Sequence, residues 1–354
     1  MSAFAIATAA VERGLVPDAC TRMAIRRLCG ARLRERSALR RSESEAAFQE
    51  SLRSGPIAPV PEKANEQHYE LPVEFFAAVL GPRRKYSCCY WEDGCESLAA
   101  AEAAALERTC RHAALVDGQQ VLELGCGWGS LSLWMAEHYP TSRITAVSNS
   151  RPQRLFIERE AARCGLSNLR VVTADMNDFA PRSESAFADR FDRVVSVEMF
   201  EHMRNYDLLL RRIASWLRPG GQLFVHVFCH RELAYPFETT GATDWMGRHF
   251  FTGGIMPSQG LLSQFGEHFQ VDEQWIWSGE HYRRTAEAWL TNLDARRGDV
   301  LDIFRSTYGR SEAARWFQRW RVFFLAVAEM FGYEQGRQWH VAHYALRPSS
   351  PGAG

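Results

Sequence analysis

Apolar positions along this chain change their spacing twice. From about residue 10 to residue 52, Leu, Ile, Met and Ala recur at helical intervals with arginines opposite them, which predicts helix. Ser54-Gly-Pro-Ile-Ala-Pro-Val-Pro61 breaks the pattern as a linker rich in Gly and Pro should. Helical spacing returns over 71–80 and 97–115. From Gln120 the texture differs: short apolar runs at 121–124, 143–147, 169–172, 194–197 and 222–227 alternate with helical segments. That alternation predicts an α/β, Rossmann-like domain with a doubly wound parallel sheet. Arg218-Pro-Gly-Gly221 reads as a tight turn from helix to strand.

After residue 227 the alternation stops. Residues 235–265 are aromatic and glycine-rich without a clean period, which predicts a pocket wall or lid rather than a plain solvent loop. Strand-like alternation resumes at 271–277 and again at 339–346, with helices expected over 283–305 and 311–331. The chain thus divides into a helical region (1–115), an α/β domain (116–348) with an insert at about 230–270, and a disordered tail (349–354).

Composition narrows the classes. The formal net charge is zero, so no global field draws in nucleic acid or an anionic membrane. Only Lys63 and Lys85 are lysines, and the arginine excess reads as coding bias. Nine cysteines without a CxxC pair point to a reducing compartment. No apolar run reaches the roughly 18 residues of a spanning helix, so stable membrane insertion is not expected. The first residues lack a basic stretch before their apolar run, unlike a secretory signal. The arginines over 22–41 fit either a transit peptide or a solvated helix face, and the second reading is preferred. The expected location is the cytoplasm. No motif sets the oligomeric state, and a homodimer is compatible with the sequence.

Val121-Leu-Glu-Leu-Gly-Cys-Gly-Trp-Gly-Ser130 places a glycine-rich turn between a strand and a helix, where backbone N–H groups and the helix dipole face a ligand. A dinucleotide loop needs a third glycine where Ser130 stands, so Gly125, Gly127 and Gly129 suit S-adenosylmethionine better. Ser148-Asn149 ends the second strand where a ribose partner belongs, and is neutral instead of acidic. Asp175-Met176 ends the third, where a carboxylate and an apolar side chain suit adenine. An N-cap remains the alternative for Asp175.

With these motifs in place, the chain resembles the cyclopropane-fatty-acid synthase superfamily of methyltransferases, in particular its coclaurine N-methyltransferase-like branch. The resemblance rests on His68-Tyr-Glu-Leu-Pro72, Tyr86-Ser-Cys-Cys-Tyr-Trp91, Leu124-Gly-Cys-Gly-Trp-Gly129, Glu198-Met-Phe-Glu-His-Met203, Phe250-Phe-Thr-Gly-Gly254 and the stretch from Tyr333 to His343. It implies a seven-stranded sheet, an N-terminal helical region over the cofactor and a lid from the insert. It also implies cofactor contacts at Tyr86, Ser87, Gly125, Gly127, Ser148, Asn149, Gln153, Asp175 and Met176, and a catalytic group of Glu198, Glu201 and His202.

Two acceptor chemistries stay open. Family members that cyclopropanate an alkene hold bicarbonate as base, and the resemblance puts Cys88, Glu201, His226 and Tyr282 at its positions. Those members generally have glycine where this chain has Glu198, whereas the amine methyltransferases have glutamate. The favoured reading is therefore N-methylation of a small aromatic or cyclic amine, with bicarbonate relevant only to the lipid alternative. Glu198 would anchor an ammonium and help pass its proton to His202, whose pKa neighbouring carboxylates would raise. Glu201 and His202 could instead bond the following helix, Cys88 and Cys89 could simply pack, and Glu70 fits a second amine contact or a cap. Tyr235, Phe237, Trp245, Phe250 and Phe251 suit either an amine cage or ordinary core. A cofactor-binding protein without turnover is the non-enzymatic alternative. No metal site is expected.

Overall fold

The computed structural model describes residues 3–39, 43–60, 71–181, 190–241 and 243–349. Glu70, the end of the linker and the tail beyond Ser349 lie outside the described residues.

Helices α1 (Ala3–Glu12), α2 (Asp18–Leu39) and α3 (Glu43–Ser51) occupy the first periodic stretch, and α4 (Val73–Val79) and α5 (Leu98–His112) follow. The α/β alternation then runs β1 (Gln120–Leu124), α6 (Ser130–His138), β2 (Arg143–Ser148), α7 (Arg151–Arg163), β3 (Leu169–Thr173), β4 (Phe191–Val197), α8 (Tyr206–Trp216) and β5 (Leu217–His230). The insert holds β6 (Tyr235–Pro236), the short helix α9 (Trp245–His249) and β7 (Ile255–Met256). After it come β8 (Phe269–Trp277), α10 (Gly279–Ala295), α11 (Arg297–Tyr308), α12 (Ala313–Phe331) and β9 (Trp339–Pro348).

Among the described residues, seven strands form one sheet in the order β3-β2-β1-β4-β5-β9-β8. The first five are parallel, and β9 slots antiparallel between β5 and β8. Their interior is apolar because α/β strands are covered on both faces. Strand order reverses between β1 and β4, which opens a crevice beyond their carboxyl ends, the usual ligand position in such sheets.

Several expectations need correction. The single helix read over 283–305 is two helices meeting at Arg296, and the first begins at Gly279. Ser278 caps this helix, its hydroxyl accepting Glu280 N at 3.3 Å, and a Cβ on Gly279 would lie 2.2 Å from the carbonyls of Phe331 and Trp339, so only glycine fits the first position. The Arg218–Gly221 turn does not separate helix from strand. Leu217 already pairs with Phe191 and Gln222 with Arg193, so the Pro-Gly segment loops out within β5. Nor is Arg22 simply solvated: it pairs with Glu287 at 2.5 Å and Glu329 at 2.8 Å, fastening α2 to α10 and α12. Ser349 is anchored too, its N–H donating to His268 O at 2.9 Å and its hydroxyl to Gly266 O at 2.6 Å. Among the described residues, no helix is long and apolar enough to cross a membrane.

Candidate active site

The glycine turn after β1 is held in a left-handed backbone, with φ of 79° at Gly125, 52° at Gly127 and 78° at Gly129. The N–H groups of Gly125 and Cys126 both donate to Val147 O at 3.0 Å, tying the turn to β2. A Cβ on Gly129 would sit 2.6 Å from Ile157, whereas one on Gly127 would meet nothing within 4 Å. Gly127 therefore leaves open space over the strand ends. Beneath the turn, burial raises Glu123 to about 7, and the Ser132 hydroxyl donates to it.

An open cleft of about 730 Å³, counted out into solvent, brings together Gly125, Gly127, Ser148, Asn149, Gln153, Asp175, Met176, Glu198 and His202. Tyr86 and Ser87 line the adjoining space, which shares Gly125, Gly127 and Glu198 with the cleft. Ser148 serves the turn itself: its hydroxyl donates to Gln153 Oε1 at 2.7 Å and accepts Ser150 N at 3.0 Å. Among the described residues Asp175 caps no helix; its Oδ1 accepts Asn177 N at 2.7 Å across a turn. Gln153 Nε2 and Ser130 Oγ are buried at these walls without a hydrogen-bond partner among the described residues. Orphaned polar atoms beside an open glycine turn fit a ligand rich in N and O groups, as a nucleoside joined to an amino acid is.

Glu198 follows β4 with φ of +48°, a strained backbone for a non-glycine residue. Its Oε1 accepts Cys88 N at 2.9 Å and lies 3.1 Å from His226 Nε2, while Oε2 accepts the Tyr282 hydroxyl at 2.7 Å. Burial raises its pKa, with Lys85 and these donors pulling the other way. Glu201 is fully buried, does not line the cleft, and neither oxygen completes a hydrogen bond among the described residues. Burial, reinforced by the charge of Glu198, holds it well above the carboxylate range, as a neutral acid. His202 faces the cleft with its ring stacked on Phe251 at 5.1 Å. Burial lowers its pKa to about 4, outweighing Glu198. This reverses the shift expected from its carboxylate neighbours.

A third, larger space of about 1380 Å³ lies between α2, the insert and α12. Its walls include Phe228, Tyr235, Phe237, Phe251, Tyr282 and Met330, with Glu238 and Asp244 among the few acids. Tyr282 and Phe251 reach from this wall to Glu198 and His202, so the two groups stand between the cleft and the apolar cavity. Two of the expected cage aromatics are elsewhere. Phe250 is fully buried against Phe323 at 4.4 Å, and Trp245 donates to Glu12 at 2.9 Å.

Residues 60–340 match the family model for mycolic acid cyclopropane synthetase. The chain belongs to that family. Its reaction class is S-adenosylmethionine-dependent methyl transfer. It is 39% identical over 344 residues to (S)-coclaurine N-methyltransferase of Thalictrum flavum subsp. glaucum, covering 95% of this chain and 94% of the relative. A crystal structure of coclaurine N-methyltransferase bound to N-methylheliamine and SAH aligns with a TM-score of 0.91 at 36% identity, over 98% of this chain and 100% of that one. Cyclopropane-fatty-acyl-phospholipid synthase of Escherichia coli (strain K12) is 29% identical over 277 residues, covering 75% of this chain and 68% of its own length.

Within this cyclopropane synthetase family member, three of the four positions matched to bicarbonate converge on Glu198. The Cys88 backbone, His226 and Tyr282 all hold the carboxylate of Glu198, and Glu201 is not among the residues that line the cleft. The thiol of Cys88 takes no part, since burial keeps it protonated. Sequence reasoning missed Lys85, whose buried ammonium donates to Ser87 Oγ at 2.5 Å and Cys88 O at 2.7 Å. Its rarity was the available signal, because the chain has only one other lysine. Met199 and Met203, which line the cleft, were also passed over.

Proposed function

We propose that the chain N-methylates a small aromatic or cyclic amine of the kind its amine-methylating relatives are named for. The observation that supports this most is the Glu198 carboxylate, seated among Cys88 N, His226 Nε2 and Tyr282 Oη at the junction of cleft and cavity. A carboxylate there leaves no seat for bicarbonate and offers an ammonium its counter-charge. S-adenosylmethionine, when bound, supplies a methyl group on a sulfonium leaving centre. Asn149, Gln153, Asp175 and Ser130 would hold its polar groups, and Met176 its ring face.

The protein's own contribution is to place and deprotonate the acceptor. The apolar cavity orients the amine's carbon skeleton and excludes water, so that the nitrogen arrives beside Glu198 and His202. Only the free amine has a lone pair, so the ammonium must lose a proton. Glu198, whose burial raises its proton affinity, is the better acceptor. His202, near 4, stays neutral and takes a hydrogen bond from the nitrogen to aim it. Glu201, buried behind the cleft as a neutral acid, does not touch substrate. Residues 1–115 act as the cover: Ala58 and Val60 line the cleft, and α2 lines the cavity.

The test is transfer of label from methyl-labelled cofactor to a panel of benzylisoquinolines, phenethylamines and simple cyclic amines. Label found only in unsaturated phospholipid would sink the amine reading. Glu198→Gln should lower amine turnover by about 10²-fold or more while leaving cofactor affinity within a few-fold.

A further inference from the structure

A line of three imidazoles leads away from Glu198. His226 Nδ1 lies 2.8 Å from His343 Nε2, and His343 Nδ1 lies 2.9 Å from His112 Nδ1. His226 and His343 are fully buried, while His112, the last residue of α5, is half-buried. The sheet builds this line. The register of β5 with β9 sets His226 opposite His343, and that of β9 with β8 sets His343 opposite Trp275, so all three point to one face. Trp275 then stacks on His112 at 4.0 Å, and Trp277 packs on His343 at 4.1 Å. Every nitrogen of the two buried rings has a partner: each ring donates at one nitrogen and accepts at the other. Apolar side chains would fill this layer at lower cost than a file of buried polar rings.

We propose that His226, His343 and His112 relay the substrate's proton from Glu198 along one face of the sheet to solvent beside His112. The relay rests on the amine reading above. An N–H bond of the ammonium breaks as an O–H bond forms on Glu198. An O–H proton of Glu198 then moves to His226 Nε2, the Nδ1 proton of His226 to His343 Nε2, and the Nδ1 proton of His343 to His112 Nδ1. The Nε2 proton of His112 leaves to water, so one proton enters as one departs; each ring is left in its other tautomer, and rotation of the three rings resets the line before the next turnover. Burial keeps the three imidazoles neutral between transfers, helped by Lys85 at the two buried rings and by Arg111 and Arg108 at His112. Glu198 provides the acidic end.

The test uses the full-length protein with His112→Ala and His343→Phe, reading kcat, KM and their pH profiles with and without added imidazole. The relay predicts that kcat falls about tenfold or more in both. It also predicts that the KM values stay within about twofold, and that imidazole restores His112→Ala. A normal kcat in His112→Ala overturns it whatever His343→Phe does, and so does a loss that imidazole leaves unmoved. Should His343→Phe fail to fold, the half-buried position 112 still decides. Wild-type protein that methylates no amine would instead remove the reading beneath the relay.

Discussion

The Tyr282 hydroxyl donates to Glu198 Oε2 at 2.7 Å, linking α10 to the end of β4. A donor to a carboxylate stabilises its charged form, and hydrogen bonds to charged groups contribute ~1.5–3 kcal/mol. Tyr282→Phe should therefore raise the Glu198 pKa further, by about one to two units at ~1.4 kcal/mol per unit. Proton acceptance needs the carboxylate, so the acid limb of the kcat profile should move to higher pH. Activity should fall on the acid side of the wild-type midpoint and recover in alkali, with cofactor affinity unchanged. A profile that keeps its wild-type midpoint would detach Tyr282 from Glu198.

Much of this framework can be read from the chain. Strands of a covered parallel sheet are apolar runs, so β1 to β5 stand out in one dimension. The cleft was equally legible at Gly125, Gly127, Asn149 and Asp175, because strand ends in an α/β sheet share one edge. The partners of Glu198 were not. Cys88, His226 and Tyr282 come from a loop, β5 and α10, and only folding reveals that they converge on one carboxylate. His343 and His112 were hidden for a related reason, since their alignment follows from the antiparallel register of β9. Gly279 shows the local version of the problem: the close approach of Phe331 O and Trp339 O at this helix start cannot be seen in one dimension, and periodicity places the helix later.

His202 yields a prediction about acid. Its folded pKa of about 4 lies below the ordinary 6.5 because burial disfavours the imidazolium. Between pH 6.5 and 4 the unfolded chain takes up a proton that the folded one refuses. The stability associated with a neutral His202 is therefore complete above 6.5 and is lost as pH falls toward 4. His249, His281 and His340, each held near 4 chiefly by burial, act in the same direction. His202→Gln should flatten part of the acid decline in melting temperature, and imidazole NMR signals of His202 should not titrate above about pH 5. A His202 titration midpoint near 6.5 would contradict the burial that sets this shift.

Phe250 and Phe251 are neighbours in sequence with opposite duties. Phe250 is fully buried, stacked on Phe323 at 4.4 Å and edge-on to Trp320 at 5.0 Å. Phe250→Ala should cost ~3–5 kcal/mol through lost burial and the cavity left behind, lowering the melting temperature without a specific kinetic signature. Phe251 is only partly buried, lies on the wall of the acceptor cavity and stacks on His202. Its truncation should spare more stability yet raise KM for the amine and lower kcat, because both the skeleton and the imidazole lose their support. Thermal melts and steady-state kinetics on the two variants separate these effects. If Phe251→Ala melted as early as Phe250→Ala with wild-type kinetics, Phe251 would belong to the core and not to the acceptor wall.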